Sequence, residues 1–332
     1  MKGFKSILII ILFLFCIFLG NIYYESKTEH VVFYDIIPLK SNLRTKLIDN
    51  FFSNDESLKT AARKQIKEIV LKDLEYNNWI DYSDYIEMLI YPIDVYGDSN
   101  EELIIALNIS KDTGVIGIYK KYNEMYVLND KIDNLTNINN VMSIKNNKKN
   151  KAFIILDQTL DENTGAFFTD NYIQIFTKLD SGFKEVFRQS LDYSAFYYEK
   201  WTNPSHENPK WYKITERSVI DNISNDHENI TLFISKTILK YKGTSNNEDN
   251  IPSDFKLVDQ KNFEIKYSWS NKYNAFIIGE GELIANKQTV GILEDTSQTV
   301  DYLLNLAGKY YKVIDKNNNV LYISEDEIKT FQ

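Results

Sequence analysis

The stretch 102-ELIIALNISKDTGVIGIYKKYNEMYVL-128 decides the fold that the sequence predicts. It holds three short apolar runs, 103-LIIAL-107, 115-VIGIY-119 and 125-MYVL-128, and a polar turn separates each run from the next. Runs of this length that are rich in β-branched and aromatic residues are typical of strands. The same alternation continues as far as Leu283, and it predicts a mainly β fold with antiparallel strands. Further runs of this kind are 152-AFIIL-156, 172-YIQIF-176, 183-FKEVF-187, 230-ITLFI-234, 263-FEIKYSW-269 and 275-AFIIG-279.

A second stretch, 151-KAFIILDQTLDENTGAFFTDNYIQIFTKLDSGFKEVF-187, repeats the plan of the first. Both contain a run built on Ile-Ile, a polar loop with Thr-Gly, a strand that ends in an aromatic residue, a tight turn and a last strand. A repeated unit of several antiparallel strands predicts an irregular propeller-like ring or, as the alternative, a curved sheet or sandwich. Residues 229–284 are candidates for further, degenerate units.

The chain divides into four predicted segments. Residues 1–25 form a membrane anchor or signal sequence, and residues 26–85 form a helical segment that packs on the β domain. Within it, the stretch 57-SLKTAARKQIKEIVLKDLE-75 has apolar residues at spacings of three and four, which predicts a helix with one apolar stripe and Ser57 as its N-cap. Residues 86–290 form the β-repeat domain. Residues 291–332 form a C-terminal helix over 300–306 and a β-hairpin with strands 310–314 and 320–324.

The amino terminus, 1-MKGFKSILIIILFLFCIFLGNIYY-24, predicts a transmembrane helix. Its apolar stretch, residues 6–24, is near the roughly 20 residues that span a bilayer. Lys2 and Lys5 favour the cytoplasmic side, so we predict a single-pass membrane protein with its bulk outside the cytoplasm. The alternative is a cleaved signal peptide and a secreted protein. Because Cys16 is the single cysteine, the exported part has no disulfide and no thiol nucleophile.

The composition argues against several functional classes. The 332 residues carry a formal net charge of -9, which repels nucleic-acid phosphates, so we predict no nucleic-acid partner. The sequence has neither the glycine-rich phosphate-binding motifs nor the G-x-S-x-G motif of serine hydrolases. Carboxylate pairs such as Glu280 and Glu282 leave open a glycan hydrolase that uses two carboxylates, although solvated surface acids also explain them.

The loop 93-IDVYGDSNEELIIAL-107 places acids and a glycine directly before a buried strand. It resembles the calcium loop of FG-GAP and VCBS β-propeller repeats, in which an acid-rich loop leads into an apolar inner strand. This resemblance implies a Ca²⁺ site with the ligands Asp94, Asp98, Asn100 and Glu102. Calcium takes six to eight oxygen ligands, which such a loop can supply. The alternative is a polar turn in which Asp and Asn serve the backbone geometry.

Two other segments are candidates for recognition or for a known module. The segment 193-YSAFYYEKWTNPSHENPKWYK-213 is rich in aromatic residues, which give a large contact area to sugar rings or proteins at low entropy cost. The alternative is that these rings fill the core. The segment 309-KYYKVIDKNNNVLYISEDEI-328 resembles the last strands of bacterial SH3-like modules. The predicted binding residues lie in the aromatic segment 193–213, and they are Tyr197, Tyr198, Trp201, Trp211 and Tyr212.

Taken together, these patterns predict a membrane-anchored extracytoplasmic protein of the bacterial cell envelope. We expect a non-catalytic binding or scaffolding module for a protein or glycan partner, with one structural Ca²⁺ if the loop is occupied. The alternatives are an envelope glycan hydrolase that uses Asp/Glu pairs and an accessory subunit of a membrane complex. Two carboxylates in a cleft would favour the hydrolase, and aromatic rings on a shallow surface would favour binding.

Overall fold

Three antiparallel sheets make up most of the computed structural model, which describes residues 43–146, 151–164, 166–226 and 229–331. The mainly β class predicted from the sequence is confirmed. The predicted anchor, residues 1–25 with the membrane segment 6–24, lies outside the described residues. Within the ranges given above, no helix combines the length and the apolar character that crossing a membrane requires.

The first sheet carries helices on one face. Its strands lie in the order β1-β5-β4-β3-β2. Their bounds are β1 Leu43–Arg44, β2 Glu87–Ile93, β3 Glu102–Ser110, β4 Thr113–Tyr122 and β5 Met125–Leu135. Between β1 and β2 lie helices α1 (Thr45–Phe51) and α2 (Glu56–Asp73) and a 3-10 helix (Asn77–Tyr85).

Helix α2 packs its predicted apolar stripe on this first sheet. Ile66, Val70 and Leu74 are buried against one face of β3 and its neighbours. The N-cap is Asp55, whose carboxylate accepts hydrogen bonds from the backbone N–H groups of Ser57 and Leu58. The prediction of Ser57 as N-cap is wrong, because Ser57 already lies inside the first helical turn.

The second sheet has eight strands, and its strand order follows the chain from β6 to β13. Each strand pairs antiparallel with the one before it, and the sheet curls into a half-barrel. A short helix, α3 (Glu199–Thr202), connects β9 to β10. The strand bounds are β6 Asn137–Asn146, β7 Lys151–Glu162, β8 Phe168–Leu179, β9 Gly182–Tyr198, β10 Trp211–Asp226, β11 Asn229–Gly243, β12 Phe255–Ser270 and β13 Ala275–Ile277.

The third sheet contains the predicted C-terminal hairpin and three further strands, in the order β17-β16-β15-β14-β18. The predicted strands 310–314 and 320–324 are confirmed as β16 and β17. The strand bounds are β14 Gly279–Leu283, β15 Thr289–Asp295, β16 Tyr310–Ile314, β17 Val320–Ser324 and β18 Ile328–Thr330. Thus the segment that resembles SH3-like modules belongs to a five-stranded sheet, with a 3-10 turn (Glu325–Glu327) before its last strand.

Helix α4 (Val300–Leu303) lies in the connection between β15 and β16. It is shorter than the predicted helix over 300–306, because the backbone of Asn305 adopts a positive φ of 58° that ends the helix. The same connection, residues 296–309, begins with a 3-10 turn over Thr296–Gln298. This connection matters for the site described below, since it lies against the half-barrel.

The two repeated units lie in different sheets. The first supplies β3 to β5 of the first sheet, and the second supplies β7 to β9 in the middle of the half-barrel. A propeller needs each unit to form its own blade, so the propeller-like ring is not the arrangement of the described chain. The curved sheet that the sequence left as the alternative is the arrangement observed.

Candidate binding cleft

A belt of buried polar side chains crosses four neighbouring strands of the half-barrel, β8 to β11. These side chains are almost wholly buried, with 6–7% of each residue exposed. One apolar cluster, which includes Phe187 and Ile234, lies on one side of the belt, and another, which includes Ala195 and Ile238, lies on the other. We call this set the polar belt, and its members are Asp170, Gln189, Glu216, Ser218 and Lys236.

The pairing of strands β8, β9 and β10 fixes the centre of the belt. Asp170 lies directly opposite Tyr193, and Tyr193 lies directly opposite Glu216. Residues that pair directly in an antiparallel sheet share a face, so these three side chains form one row. The two carboxyl residues therefore flank the tyrosine, with their backbones two strand spacings, or about 10 Å, apart.

Hydrogen bonds and an ion pair join one half of the belt. The Nζ of Lys236 lies 3.3 Å from Oε1 of Glu216. The amide Nε2 of Gln189 donates to the same Oε1 at 2.9 Å and contacts Oγ of Ser218 at 3.1 Å. Lys236 also donates to the backbone carbonyl of Gln298 at 3.4 Å, which links the belt to the connection between β15 and β16.

The other half of the belt is less completely paired. Oδ2 of Asp170 lies 3.6 Å from the guanidinium of Arg188, while its buried Oδ1 has no hydrogen-bond partner among the described residues. Burial raises the pKa of Asp170, and hydrogen bonding to Ser190 and the charge of Arg188 offset only part of this effect. Burial likewise raises the pKa of Glu216 against the opposing influence of Lys236.

The belt lies at a cleft of about 1110 Å³ between the half-barrel and the C-terminal sheet. Asp170, Gln189, Tyr193, Glu216 and Lys236 line the half-barrel side. The other wall comes from the C-terminal sheet and the connection before β16, through Thr299, Asp301, Tyr310, Lys312, Val320 and Tyr322. Three of these wall residues are well exposed: Tyr310 by 41%, Val320 by 47% and Tyr322 by 63%.

The loop predicted to bind calcium forms a tight polar turn. Asp94 is buried, and its carboxylate accepts from the backbone N–H groups of Gly97 (2.6 Å) and Ser99 (2.8 Å). Its Oδ2 also lies 3.1 Å from Nζ of Lys145. Burial raises the pKa of Asp94, but these hydrogen bonds and the lysine charge outweigh it, so the pKa lies below its ordinary value.

The other three predicted calcium ligands also take part in hydrogen bonds within the loop. Oε2 of the buried Glu102 accepts from the backbone N–H of Val95 at 3.1 Å. Asp98 and Asn100 are exposed, and Asp98 accepts from the backbone N–H of Asn100 at 2.9 Å. Within the ranges that the structure describes, no group of three or more His, Cys, Asp or Glu side chains is arranged to hold a metal ion. The geometry favours the polar turn, and calcium binding stays a prediction.

The five predicted aromatic residues come together at the β9–β10 end of the half-barrel. Tyr197 stacks on Tyr212 with ring centroids 5.2 Å apart, and Trp211 packs against both Tyr198 (5.3 Å) and Trp201 (5.2 Å). Tyr198 and Trp211 are almost wholly buried and donate to backbone carbonyls of Asn246 and Asn247. Trp201, at 47% exposed, is the one ring of the five that presents a large surface to solvent.

The acidic pair suggested by the sequence does not form a two-carboxylate site. Glu280 lies 3.1 Å from Lys272, and Glu282 lies 3.5 Å from Lys287. Both pairs lie at the surface, as expected for solvated acids. Five other carboxylates line the cleft described above, and the sequence analysis selected none of them: Asp170, Glu185, Glu216, Glu294 and Asp301.

A signal for the polar belt is nevertheless present in the sequence. In 234-ISKTI-238, Lys236 lies at the inward spacing of two from Ile234 and from Ile238. In 214-ITERS-218, Glu216 lies at the same spacing from Ile214. A charged residue in register with apolar residues along a strand must share their buried face. This rule identifies both members of the ion pair, but it does not show that they are neighbours.

No family model, curated protein or solved structure matches this chain. The resemblance of residues 93–107 to FG-GAP and VCBS repeats therefore stays a prediction. The functional interpretation that follows depends on the geometry of the cleft.

Proposed function

We propose that this protein is a non-catalytic binding module of the bacterial cell envelope, and that its ligand lies in the cleft between the half-barrel and the C-terminal sheet. The observation that carries this proposal is the polar belt. Burying five polar side chains costs free energy unless they are paired, and a core of this size could be filled by apolar residues instead. A cleft that recognises a polar ligand requires such polar side chains at its floor.

The location at the envelope is part of the same proposal. It is supported by the apolar segment 6–24 with Lys2 and Lys5 before it, which is typical of an anchor that leaves the bulk of the chain outside the cytoplasm.

Co-sedimentation with isolated envelope fragments tests the proposal. We expect saturable binding of the purified protein, and at least tenfold weaker binding for Tyr322→Ala, whose side chain lines the cleft and is 63% exposed. Tyr85→Ala is the matched control, because Tyr85 is 89% exposed and does not line the cleft. Equal sedimentation of all three proteins, or none for the wild type, would contradict the proposal.

A second candidate function is an envelope glycan hydrolase, and the row Asp170–Tyr193–Glu216 favours it. A carboxyl with a raised pKa can act as general acid beside a second carboxylate. Incubation with envelope glycan would then release reducing ends, and Asp170→Asn would abolish that release. Binding without any release of reducing ends would leave the binding module as the function.

A further inference from the structure

The chemistry of the cleft also indicates what kind of ligand it takes. Resting on the function proposed above, we infer that the ligand is a glycan strand without strong net charge, which the polar belt and the tyrosines of the opposite wall contact together. Three features of the described residues carry this inference: the charge balance, the mixed hydrogen-bonding groups and the exposed rings.

The charges at the floor of the cleft are already balanced. Glu216 has Lys236 at 3.3 Å, and Asp170 has Arg188 at 3.6 Å. The rest of the lining adds three acids, Glu185, Glu294 and Asp301, and two bases, Lys184 and Lys312, so that a strongly anionic or strongly cationic ligand would meet groups of its own sign. Since like charges brought together in a desolvated site cost several kcal/mol, the floor selects against either kind of ligand.

The uncharged groups at the floor both donate and accept hydrogen bonds. The hydroxyl of Tyr193 stays protonated at neutral pH, because burial and the neighbouring acids raise its pKa to about 12. Gln189 and Ser190 add an amide and a hydroxyl. Sugar hydroxyls are donors and acceptors at once, so they can bond to every member of this set.

The opposite wall supplies exposed aromatic surface. Tyr310 and Tyr322 lie on the adjacent strands β16 and β17, and their rings are 41% and 63% exposed. Tyr322 pairs directly with Lys312, which also lines the cleft. Aromatic rings offer a large, rigid apolar face next to polar groups, which matches the apolar faces of sugar rings.

An extended peptide fits the floor less well. Peptides commonly bind sheet proteins by adding a strand at an exposed edge. Strands β8 to β11 are internal to the eight-stranded sheet, so their backbone groups are already paired, and a peptide strand could pair instead with the edge strand β17 of the opposite wall, away from the belt. The backbone N–H and C=O groups of a peptide lying over the belt could therefore form hydrogen bonds there only with side chains.

The test uses envelope fragments digested with protease and with an amidase that removes peptides from the sugar strands. We expect the full chain to sediment with this peptide-free glycan as it does with untreated fragments. Tyr310→Ala and Tyr322→Ala should each weaken that sedimentation at least tenfold, while Tyr85→Ala should not change it.

The outcomes separate this inference from the proposed function. If sedimentation depends on the cleft with untreated fragments but is lost after the digestion, the inference of a glycan ligand is overturned and the proposed binding module still stands. No cleft-dependent sedimentation with either material would overturn both. The circular dichroism spectra of both cleft variants serve as the folding check, and a variant that matches the wild-type spectrum but fails to bind supports the inference.

Discussion

At the scale of single residues, Lys236 is the side chain on which the energy of the polar belt depends most. Lys236 and Glu216 are both 7% exposed and form an ion pair of 3.3 Å. Burial raises the pKa of Glu216, and the lysine charge limits that rise. Removing one member of a buried pair leaves the other charge uncompensated, at a typical cost of about 3–5 kcal/mol.

We expect Lys236→Met to lower the free energy of unfolding by about 3 kcal/mol at neutral pH. Without the lysine, the folded pKa of Glu216 rises further above its unfolded value. A carboxyl with a raised pKa does not lower the free energy of unfolding below its unfolded pKa, near 4.5, because it is then protonated in both states. The penalty grows as the pH rises through the folded pKa, because the carboxyl must then ionise in its buried position. Urea unfolding of both proteins near pH 4 and near pH 7 measures the difference.

The control is the double variant Lys236→Met with Glu216→Gln, which removes the uncompensated charge. It should recover part of the stability lost at neutral pH. A loss that is the same at both pH values, or that the second substitution deepens, would show that Glu216 is not held as a buried anion.

The turn at Asp94 gives a second prediction at this scale. Asp94→Ala would remove the acceptor of the backbone N–H groups of Gly97 and Ser99 and the carboxylate that lies 3.1 Å from Lys145. Both bonds are partly buried, and a hydrogen bond contributes about 0.5–1.5 kcal/mol to stability, so this variant should melt at a lower temperature than the wild type. Asp98→Ala removes one bond of an exposed side chain and should melt close to the wild type. Similar melting of both variants would contradict the polar turn.

Calcium binding by the same loop needs its own measurement. Calorimetric titration of Ca²⁺ into the protein should give saturable heat if the loop resembles the FG-GAP type in function, and Asp98→Ala should abolish that heat. Absence of heat at millimolar calcium would leave residues 93–107 as a turn before a strand.

At the scale of elements, strands β3 and β7 explain why the sequence shows an internal repeat. Ile104 of β3 and Leu156 of β7 belong to one cluster between the first sheet and the half-barrel. The alternate residues of each strand face other layers, with Ile105 against helix α2 and Phe153 inside the half-barrel. Both strands are buried on both faces, so both read as continuous apolar runs rather than as alternating ones.

This double burial predicts large effects from single substitutions. Leu156→Ala should lower the free energy of unfolding by about 2–5 kcal/mol, because it opens a cavity between two sheets. Leu257→Ala is the matched control, since Leu257 is 52% exposed on β12 and should change stability by less than about 0.5 kcal/mol. Equal losses in urea unfolding would show that the two sheets do not pack through Leu156.

The apolar runs of the sequence predicted where strands lie, but they did not predict the full length of the longer strands. Every predicted apolar run lies in a strand, apart from 275–279, which spans the end of β13 and the start of β14. Strands β11 and β12 extend well beyond their apolar runs, as in Phe255–Ser270, where the run covers 263–269, and no predicted run lies in β10. The first half of β12 is mostly exposed, so no burial pattern marked it as strand.

At the scale of the whole molecule, the sequence left the arrangement of the strands open. Local runs and turns predict which residues pair with their chain neighbours, and a meander such as β6 to β13 satisfies all of those pairings. Whether the units close into blades or continue as one sheet depends on packing between distant parts of the chain, such as the buried cluster that contains both Ile104 and Ile154. The cleft was beyond sequence reasoning for the same reason, because the half-barrel and the C-terminal sheet form it from residues more than a hundred positions apart.

The central claim is that the cleft contacts the ligand, and photo-crosslinking in growing bacteria tests it most directly. A photoreactive phenylalanine analogue would be incorporated in turn at the positions of Tyr310, Tyr322 and Tyr85. The account predicts light-dependent adducts of higher mass from the two cleft positions and none from the position of Tyr85. Adducts from the position of Tyr85 alone, or equal adducts from all three, would contradict the account.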